Sequence, residues 1–165
     1  MTDSLARLLS RPAPKVDLMP YKYPLPTSPS VTLVMRGNRR RDTRPELRVR
    51  SELHRRGLRF RKELAIEANG IRVHADVVFP RARVAVFIDG CYWHSCPEHG
   101  TSPRNNVDYW TRKLAGNHER DRRVDAALTA SGWCVIRVWE HETPTVAAIA
   151  IRAVVESRHR QLLGS

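Results

Sequence analysis

Five consecutive apolar residues, Val84-Ala85-Val86-Phe87-Ile88, run without a polar break and stop at Asp89-Gly90. A strand with one wet face alternates; an unbroken apolar run closed by a turn signal is the pattern of a strand buried on both sides. Such a strand belongs in the middle of a sheet with cover above and below. The 165 residues suffice for one compact domain with a real core plus a tail, but not for two full domains, so one active site is expected.

The flanking sequence supplies the cover. Thr43, Pro45 and Glu46 form a T-x-x-E capping box that opens a basic helix, and Gly57 closes it. Asn69-Gly70 is a hairpin signal, after which Ile71, Val73, Ala75 and Val77 alternate with Arg72, His74, Asp76 and Val78 as one half-buried strand. Residues from about Val107 to Ala130 are charged and helical in character. Trp133 to Trp139 reads as another strand, its two tryptophans assigned to the core, and Thr143-Pro144 caps a final apolar helix through about Val155. The order helix, three strands, helix, strand, helix gives an α/β architecture, a mixed sheet flanked by helices. Residues 1–34 hold six of the eleven prolines and little apolar periodicity, so they read as a disordered tail ahead of a domain spanning 35–160. There is no internal repeat and no glycine-rich phosphate loop, so nucleotide hydrolysis finds no support.

Charge narrows the partner. Lys and Arg total 29 against 17 acids, for a net charge of +12, and residues 36–62 alone carry twelve Lys or Arg against three acids. Arg outnumbers Lys heavily, which suits bidentate contact with phosphates, and nucleic acid is the leading partner. Arg39, Arg40 and Arg41 are its densest run. No stretch approaches ~18 consecutive apolar residues, and the N-terminus has no apolar core or small-residue cleavage site of a signal peptide. A soluble, cytoplasmic and nucleoid-associated protein is expected.

The chemistry concentrates in Asp89-Gly90-Cys91-Tyr92-Trp93-His94-Ser95-Cys96-Pro97-Glu98-His99, with two thiols and two imidazoles in eleven residues. Cys91, Cys96 and His99 offer three ligands suited to zinc, and a tetrahedral site needs a fourth. His141, just past the Trp133–Trp139 strand, and Cys134 within it are the candidates; His141 is favoured because a strand-end residue swings more easily than a buried thiol. The competing reading makes the cysteines small buried hydrophobes and His99 a surface imidazole. His94 does not continue the ligand spacing, so it faces the other way as a proton-transfer group or is an ordinary surface histidine. Asp76, near the end of an apolar strand, and Asp89, ending the next one, would converge on one rim of the sheet, where carboxylates hold Mg²⁺. Glu46 would reach that rim as well, but the capping box already explains it. Tyr92, Trp93 and Trp110 place large rings beside basic surface, where rings wedge between or stack on bases, against the default of core packing. Asn117, Glu119, Arg120, Asp121, Arg122 and Arg123 read from composition alone as a solvated helical face.

Taken in order, Asp42-Thr43-Arg44-Pro45-Glu46, Asp76 before Phe79-Pro80, Gly90-Cys91-Tyr92-Trp93-His94, Trp110, Asn117 with Arg120-Asp121-Arg122-Arg123, and Gly132-Trp133 to Trp139-Glu140 resemble the very short patch repair (Vsr) mismatch endonucleases. The match runs from about Arg36 to Glu142. The resemblance implies a restriction-endonuclease-like fold with a structural zinc site. It implies Asp76 as the principal Mg²⁺ carboxylate, helped by the Ile88 backbone carbonyl, and His94 as general base. Glu46 and Asp121 fall on supporting acidic positions and Asn117 on a position near the active site. Tyr92, Trp93 and Trp110 match an aromatic wedge. The implied reaction is Mg²⁺-assisted hydrolysis of one phosphodiester 5′ to the T of a T:G mismatch, the product of 5-methylcytosine deamination, leaving 5′-phosphate and 3′-hydroxyl ends. Double-stranded DNA with that mismatch is the implied partner of a monomer, with mismatch-repair proteins and a linked DNA cytosine methyltransferase as candidate associates. Two departures stand out. Well-known members carry Thr-His before Gly-Cys where this chain has Ile88-Asp89, so a second imidazole is missing and Asp89 is a candidate holder of metal or water. The zinc set also differs, with Cys96, His99 and His141 near positions that carry His, Cys and Cys.

Two other classes remain open on the sequence: a non-catalytic, zinc-stabilised module for distorted DNA, which needs neither Asp76 nor His94, and an RNA-binding interaction protein, which predicts no mismatch preference.

Overall fold

The computed structural model describes residues 41–164. The proline-rich segment, the start of the domain at 35, and Arg39 and Arg40 lie outside the described residues. Three helices and six strands follow one another as α1 (Arg44–Arg55), β1 (Arg61–Lys62), β2 (Ala65–Ala68), β3 (Ile71–His74), β4 (Val77–Phe79), a 3-10 turn (Pro80–Ala82), β5 (Val84–Asp89), α2 (Val107–Ala130), β6 (Cys134–Trp139) and α3 (Pro144–Leu163). The main sheet has the order β1-β4-β5-β6, antiparallel except for the parallel pair β5–β6, and β2–β3 form a separate hairpin. The chain is thus a mixed α/β fold, with the apolar run of β5 at an interior position.

Each face of that strand meets a different layer. Val84 and Val86 join Val77, Phe79 and Val138 against Val49 and Leu53 of α1 and Ala148, Ile151 and Val155 of α3. Ala85 joins Val78 against Leu128 of α2 and the Ile66, Ala68 and Val73 side of the hairpin. Double burial of this kind is what the unbroken apolar run demanded.

Local chemistry sets the helix ends. Thr43 lies extended at the N-cap of α1, its hydroxyl accepting from the Glu46 N–H at 3.5 Å and donating to Glu46 Oε1 at 2.8 Å. The helix is basic yet internally compensated: Arg50, buried, pairs with Glu46 at 2.7 Å and Asp42 at 2.8 Å, and Glu52 with Arg55 and Arg56. Arg44 and Arg48 remain exposed. At the hairpin, Asn69 and Gly70 both take positive φ, 47° and 80°, which suits a two-residue turn between Ala68 and Ile71.

Three expectations change. The single strand from Ile71 to Val78 is two strands in two sheets, with Ala75-Asp76 unpaired between them; Val73, Ala75 and Val77 are all buried, so alternation continues through the bend and carries no sign of it. Asp76 therefore enters β4 rather than ending a strand. The short pair β1, which adds an edge to β4, leaves no periodicity in two residues. The last helix continues two turns beyond Val155 to Leu163, since helix-compatible polar residues and the Arg152–Glu156 pair sustain it after the apolar stripe ends. No helix among the described residues is long and apolar enough to cross a membrane.

Leu53→Ala, which empties a fully buried position shared by α1 and the sheet, is expected to lower the unfolding free energy by about 2–5 kcal/mol, whereas Thr43→Ala, losing only the cap, costs about 1 kcal/mol. Urea denaturation measures both, and equal small losses would remove α1 from the core.

Candidate active site and metal centre

The parallel register runs from Val84 opposite Cys134 to Asp89 opposite Trp139, and the Glu140 N–H donates to the Asp89 carbonyl one residue further on. Both strands therefore exit at one rim. The loop after β5 carries the Cys/His cluster of the sequence, and the segment after β6 carries Glu140 and His141. Cys91, Cys96, His99 and His141 gather there with their ligand atoms all within 4.8 Å of one another. Cys91 Sγ and Cys96 Sγ lie 3.1 and 3.7 Å from His141 Nδ1, and the rings of His99 and His141 are 4.3 Å apart. Cys134, at the opposite end of β6, is not among them. Two buried thiols and two exposed imidazoles converging on one point are a soft donor set that fits a tetrahedral metal. Burial, with the Cys96 thiol beside it, pushes the Cys91 thiol up to about 11, so a metal arriving there displaces a proton.

The loop is closed around this cluster by its backbone. Cys96 N–H donates to the Cys91 carbonyl, Gly100 N–H to the Cys96 carbonyl, and Cys91 N–H to Glu140 Oε1 at 2.6 Å. A Cβ at Gly100 would lie 2.4 Å from the Cys96 carbonyl oxygen, so no other residue closes the turn without moving it.

With the cysteines turned toward the cluster, His94 faces away from it. Its Nδ1 lies 2.6 Å from Asp121 Oδ2 and 3.7 Å from Asp89 Oδ1. A carboxylate only accepts, so Nδ1 carries the hydrogen and Nε2 is left as the proton acceptor. Asp121 and Asn117 come from α2, whose sequence looked like a solvated face; Glu119, Arg120, Arg122 and Arg123 are exposed as expected, whereas Asn117 is buried and donates to the Trp93 carbonyl at 2.9 Å. Tyr92, Trp93 and Trp110 are half-buried and touch one another, with ring centroids 5.3–5.8 Å apart, beside the metal cluster and not in either core. Trp133 packs on the core as expected; Trp139 instead lines a cleft of about 240 Å³ with Pro45, Arg48 and His141.

Asp76 stands at the same rim. Its Oδ2 accepts the Ile88 N–H at 2.7 Å, joining it to the end of β5. Burial, together with the nearby charges of Glu46 and Asp89, pushes its carboxyl up to about 6, against the lowering effects of the Ile88 hydrogen bond and Arg50. A partly buried carboxylate among other carboxylates is a site that favours a hard cation, and Asp76 offers it an oxygen donor. Glu46 itself is committed: Oε1 to Thr43, Oε2 to the Asp42 N–H and Arg50. Asp89 is likewise engaged, both its oxygens accepting from Arg137 Nη1, at 2.8 and 3.0 Å. Sequence reasoning missed Arg137 and Asp125, which bonds it at 3.0 Å, although an arginine inside the apolar run of β6 signals a required partner. Of the basic run, Arg41 is exposed and pairs with Glu63 at 3.1 Å.

Residues 27–98 match the family described as DNA mismatch endonuclease Vsr. The chain is 46% identical over 138 residues to the type II nicking enzyme V.NaeI of Lentzea aerocolonigenes, spanning 83% of this chain and 81% of that protein. It is 40% identical over 121 residues to the type II nicking enzyme V.XorIIP of Xanthomonas oryzae pv. oryzae, 72% of this chain and 85% of the relative. It is 35% identical over 108 residues to the DNA mismatch endonuclease Vsr of Escherichia coli, 64% and 66% of the two chains.

The raised carboxyl of Asp76 has a sign that stability measurements can read. Between its ordinary value of 3.8 and about 6 the folded chain binds more protons than the unfolded one, so the contribution of Asp76 is full below pH 3.8 and is lost as pH rises through 6. In chelator, Asp76→Asn is expected to raise stability on the order of 1–3 kcal/mol near neutral pH and to leave it nearly unchanged near pH 4. Melting curves at the two pH values check this, and a variant no more stable than the native chain at neutral pH would contradict it.

Proposed function

This chain belongs to the Vsr family of DNA mismatch endonucleases, and from that membership we propose that it nicks one strand 5′ to the T of a T:G mismatch with Mg²⁺ as cofactor. It is a DNA endonuclease, a phosphodiester hydrolase. The finer reading rests chiefly on one observation: Asp76 with Ile88, and the His94–Asp121 pair, converge on one rim beside a half-buried aromatic cluster.

Asp76 and the Ile88 carbonyl would hold the catalytic cation. Mg²⁺, when bound, would offset the charge developing on the scissile phosphate. His94 Nε2 takes the proton of the attacking water, and Asp121 fixes the ring and stabilises the imidazolium that results. Water forms a bond to phosphorus as the 3′-oxygen leaves, giving 5′-phosphate and 3′-hydroxyl ends and restoring the proton balance when the 3′-oxygen is protonated. Glu46 keeps α1 capped beside Asp76 and contributes negative charge there. Asn117, through the Trp93 carbonyl, holds the loop that carries both His94 and the wedge. Tyr92, Trp93 and Trp110 enter beside the mispair, where unstacking is easier than at a paired step. Arg39, Arg40 and Arg41 contact phosphates irrespective of sequence. Cys91, Cys96, His99 and His141 would hold a structural zinc, tying the loop to the end of β6. The framework is restriction-endonuclease-like, the chain acts as a monomer in the cytoplasm, and mismatch-repair proteins and a cytosine methyltransferase are its functional associates.

The test is nicking of end-labelled T:G and T:A duplexes with and without Mg²⁺. Strand-specific cutting 5′ to the mismatched T, only with the metal, is expected, and Asp76→Ala and His94→Ala should each lower the single-turnover rate by about 10²–10⁴ while keeping mismatch affinity. Mismatch binding without cutting would instead make the chain a DNA-binding module, and wild-type rates in either variant would remove that residue from the chemistry. Trp93→Ala is expected to narrow the gap in affinity between the two duplexes more than it weakens binding overall, measured by titration across a salt series; equal loss on both duplexes would remove the ring from recognition.

A further inference from the structure

Arg137 lies midway along β6, opposite Phe87 of β5, with its guanidinium 5.0 Å over the Phe87 ring. A charged group in an otherwise apolar strand is costly unless its donors are matched. Here the matching is extensive. Nη1 donates to both oxygens of Asp89 at the end of β5, and Nε and Nη2 donate to Asp125 on α2. Nη2 also lies 3.6 Å from Asp121 Oδ1, the oxygen that does not face His94; exposed Arg120 reaches that oxygen from the solvent side at 3.5 Å, whereas Arg137 reaches it from within the fold. One side chain thus reaches β5 and two successive turns of α2. Asp89, at 3.7 Å, is the only other described carboxylate within ion-pair reach of His94 Nδ1.

We infer that Arg137 is a positioning residue: it holds Asp121 in the orientation that binds His94 Nδ1 and draws Asp89 away from the same ring nitrogen. The proposal rests on the role given to His94 above. The guanidinium suits the task because its planar fork bonds several carboxylates at fixed angles, which a lysine ammonium does not. Without it, Asp121 loses the partner that fixes its second oxygen from within the fold, and the ring loses its single orientation. The arginine and Asp89 work together, so that this buried carboxylate is part of the support of His94.

The test uses the full chain with its metals. Arg137→Met alone would leave Asp89 as a buried unpaired charge, so it is made together with Asp89→Asn and compared with Asp89→Asn alone. The double variant is expected to keep its melting temperature and T:G affinity near those of Asp89→Asn while its single-turnover rate falls at least about tenfold below it. Arg137→Lys should fall between the native chain and the double variant. Proton NMR supplies a readout independent of cutting: the Nδ1–H resonance of His94, shifted downfield by its bond to Asp121, should persist in Asp89→Asn and disappear or broaden in the double variant. If the native chain does not nick mismatched DNA, the role assigned to His94 fails while the resonance still tests what Arg137 positions. If the double variant keeps both the resonance and the rate of Asp89→Asn, Arg137 only balances charge and the proposal is overturned.

Discussion

The parallel pairing of β5 with β6 is the constraint from which the site follows. Parallel strands leave the sheet at the same end, so the loop after Asp89 and the segment after Trp139 are neighbours although some fifty residues separate Cys91 from His141 in sequence. The hydrogen bonds from Glu140 N–H to the Asp89 carbonyl and from Cys91 N–H to Glu140 Oε1 extend the register past the strands and hold the two exits together. The donor cluster of Cys91, Cys96, His99 and His141 then divides the loop: residues turned toward it cannot also face the rim, and His94, Tyr92 and Trp93 take the other direction. α2 crosses beneath this loop and supplies Asn117 to its backbone and Asp121 to His94.

Charge is arranged on two scales. The chain as a whole is strongly basic, with a net charge of +12, which suits a polyanionic partner. The rim is locally acidic, with Asp76, Glu46, Asp89, Asp121 and Asp125 close together. Arg50 and Arg137 enter that acidic region from opposite sides, from α1 and β6, and bind every one of those carboxylates except Asp76 at 2.7–3.6 Å. Asp76 is left with a backbone N–H and a raised carboxyl, and it is the group with most to gain from a cation.

How much of this was legible in the sequence depended on whether the signal was local. The capping box at Thr43–Glu46, the Asn69-Gly70 turn and the doubly buried run at Val84–Ile88 each declare themselves within a few residues, and each is where it was expected. His141 was favoured over Cys134 because a strand-end residue swings more easily toward the loop than a buried strand thiol, and the structure gathers it with Cys91, Cys96 and His99. What failed was partnership at long range. The bend at Asp76 leaves alternation intact while changing the sheet, so Ile71–Val78 read as one strand. Asp89 read as a free carboxylate because its partner is 48 residues away in a strand taken as apolar core. The charged face of α2 read as solvated because nothing in its own turn reveals that Asn117 and Asp121 point at a loop and a histidine. Propensity and spacing report on a residue's neighbours in sequence, whereas these roles belong to neighbours across the sheet.

On the function proposed above, zinc held by the Cys/His cluster would tie the loop to the end of β6 and so set the geometry at which His94 works. The most direct measurement removes zinc with a chelator, confirms by elemental analysis that less than about 0.1 equivalent remains, and follows single-turnover cutting of mismatched DNA in Mg²⁺ before and after one equivalent of zinc is returned. The account predicts that the stripped protein loses cutting by at least about a hundredfold and regains it with zinc. Stripped protein that cuts at the full rate would contradict it.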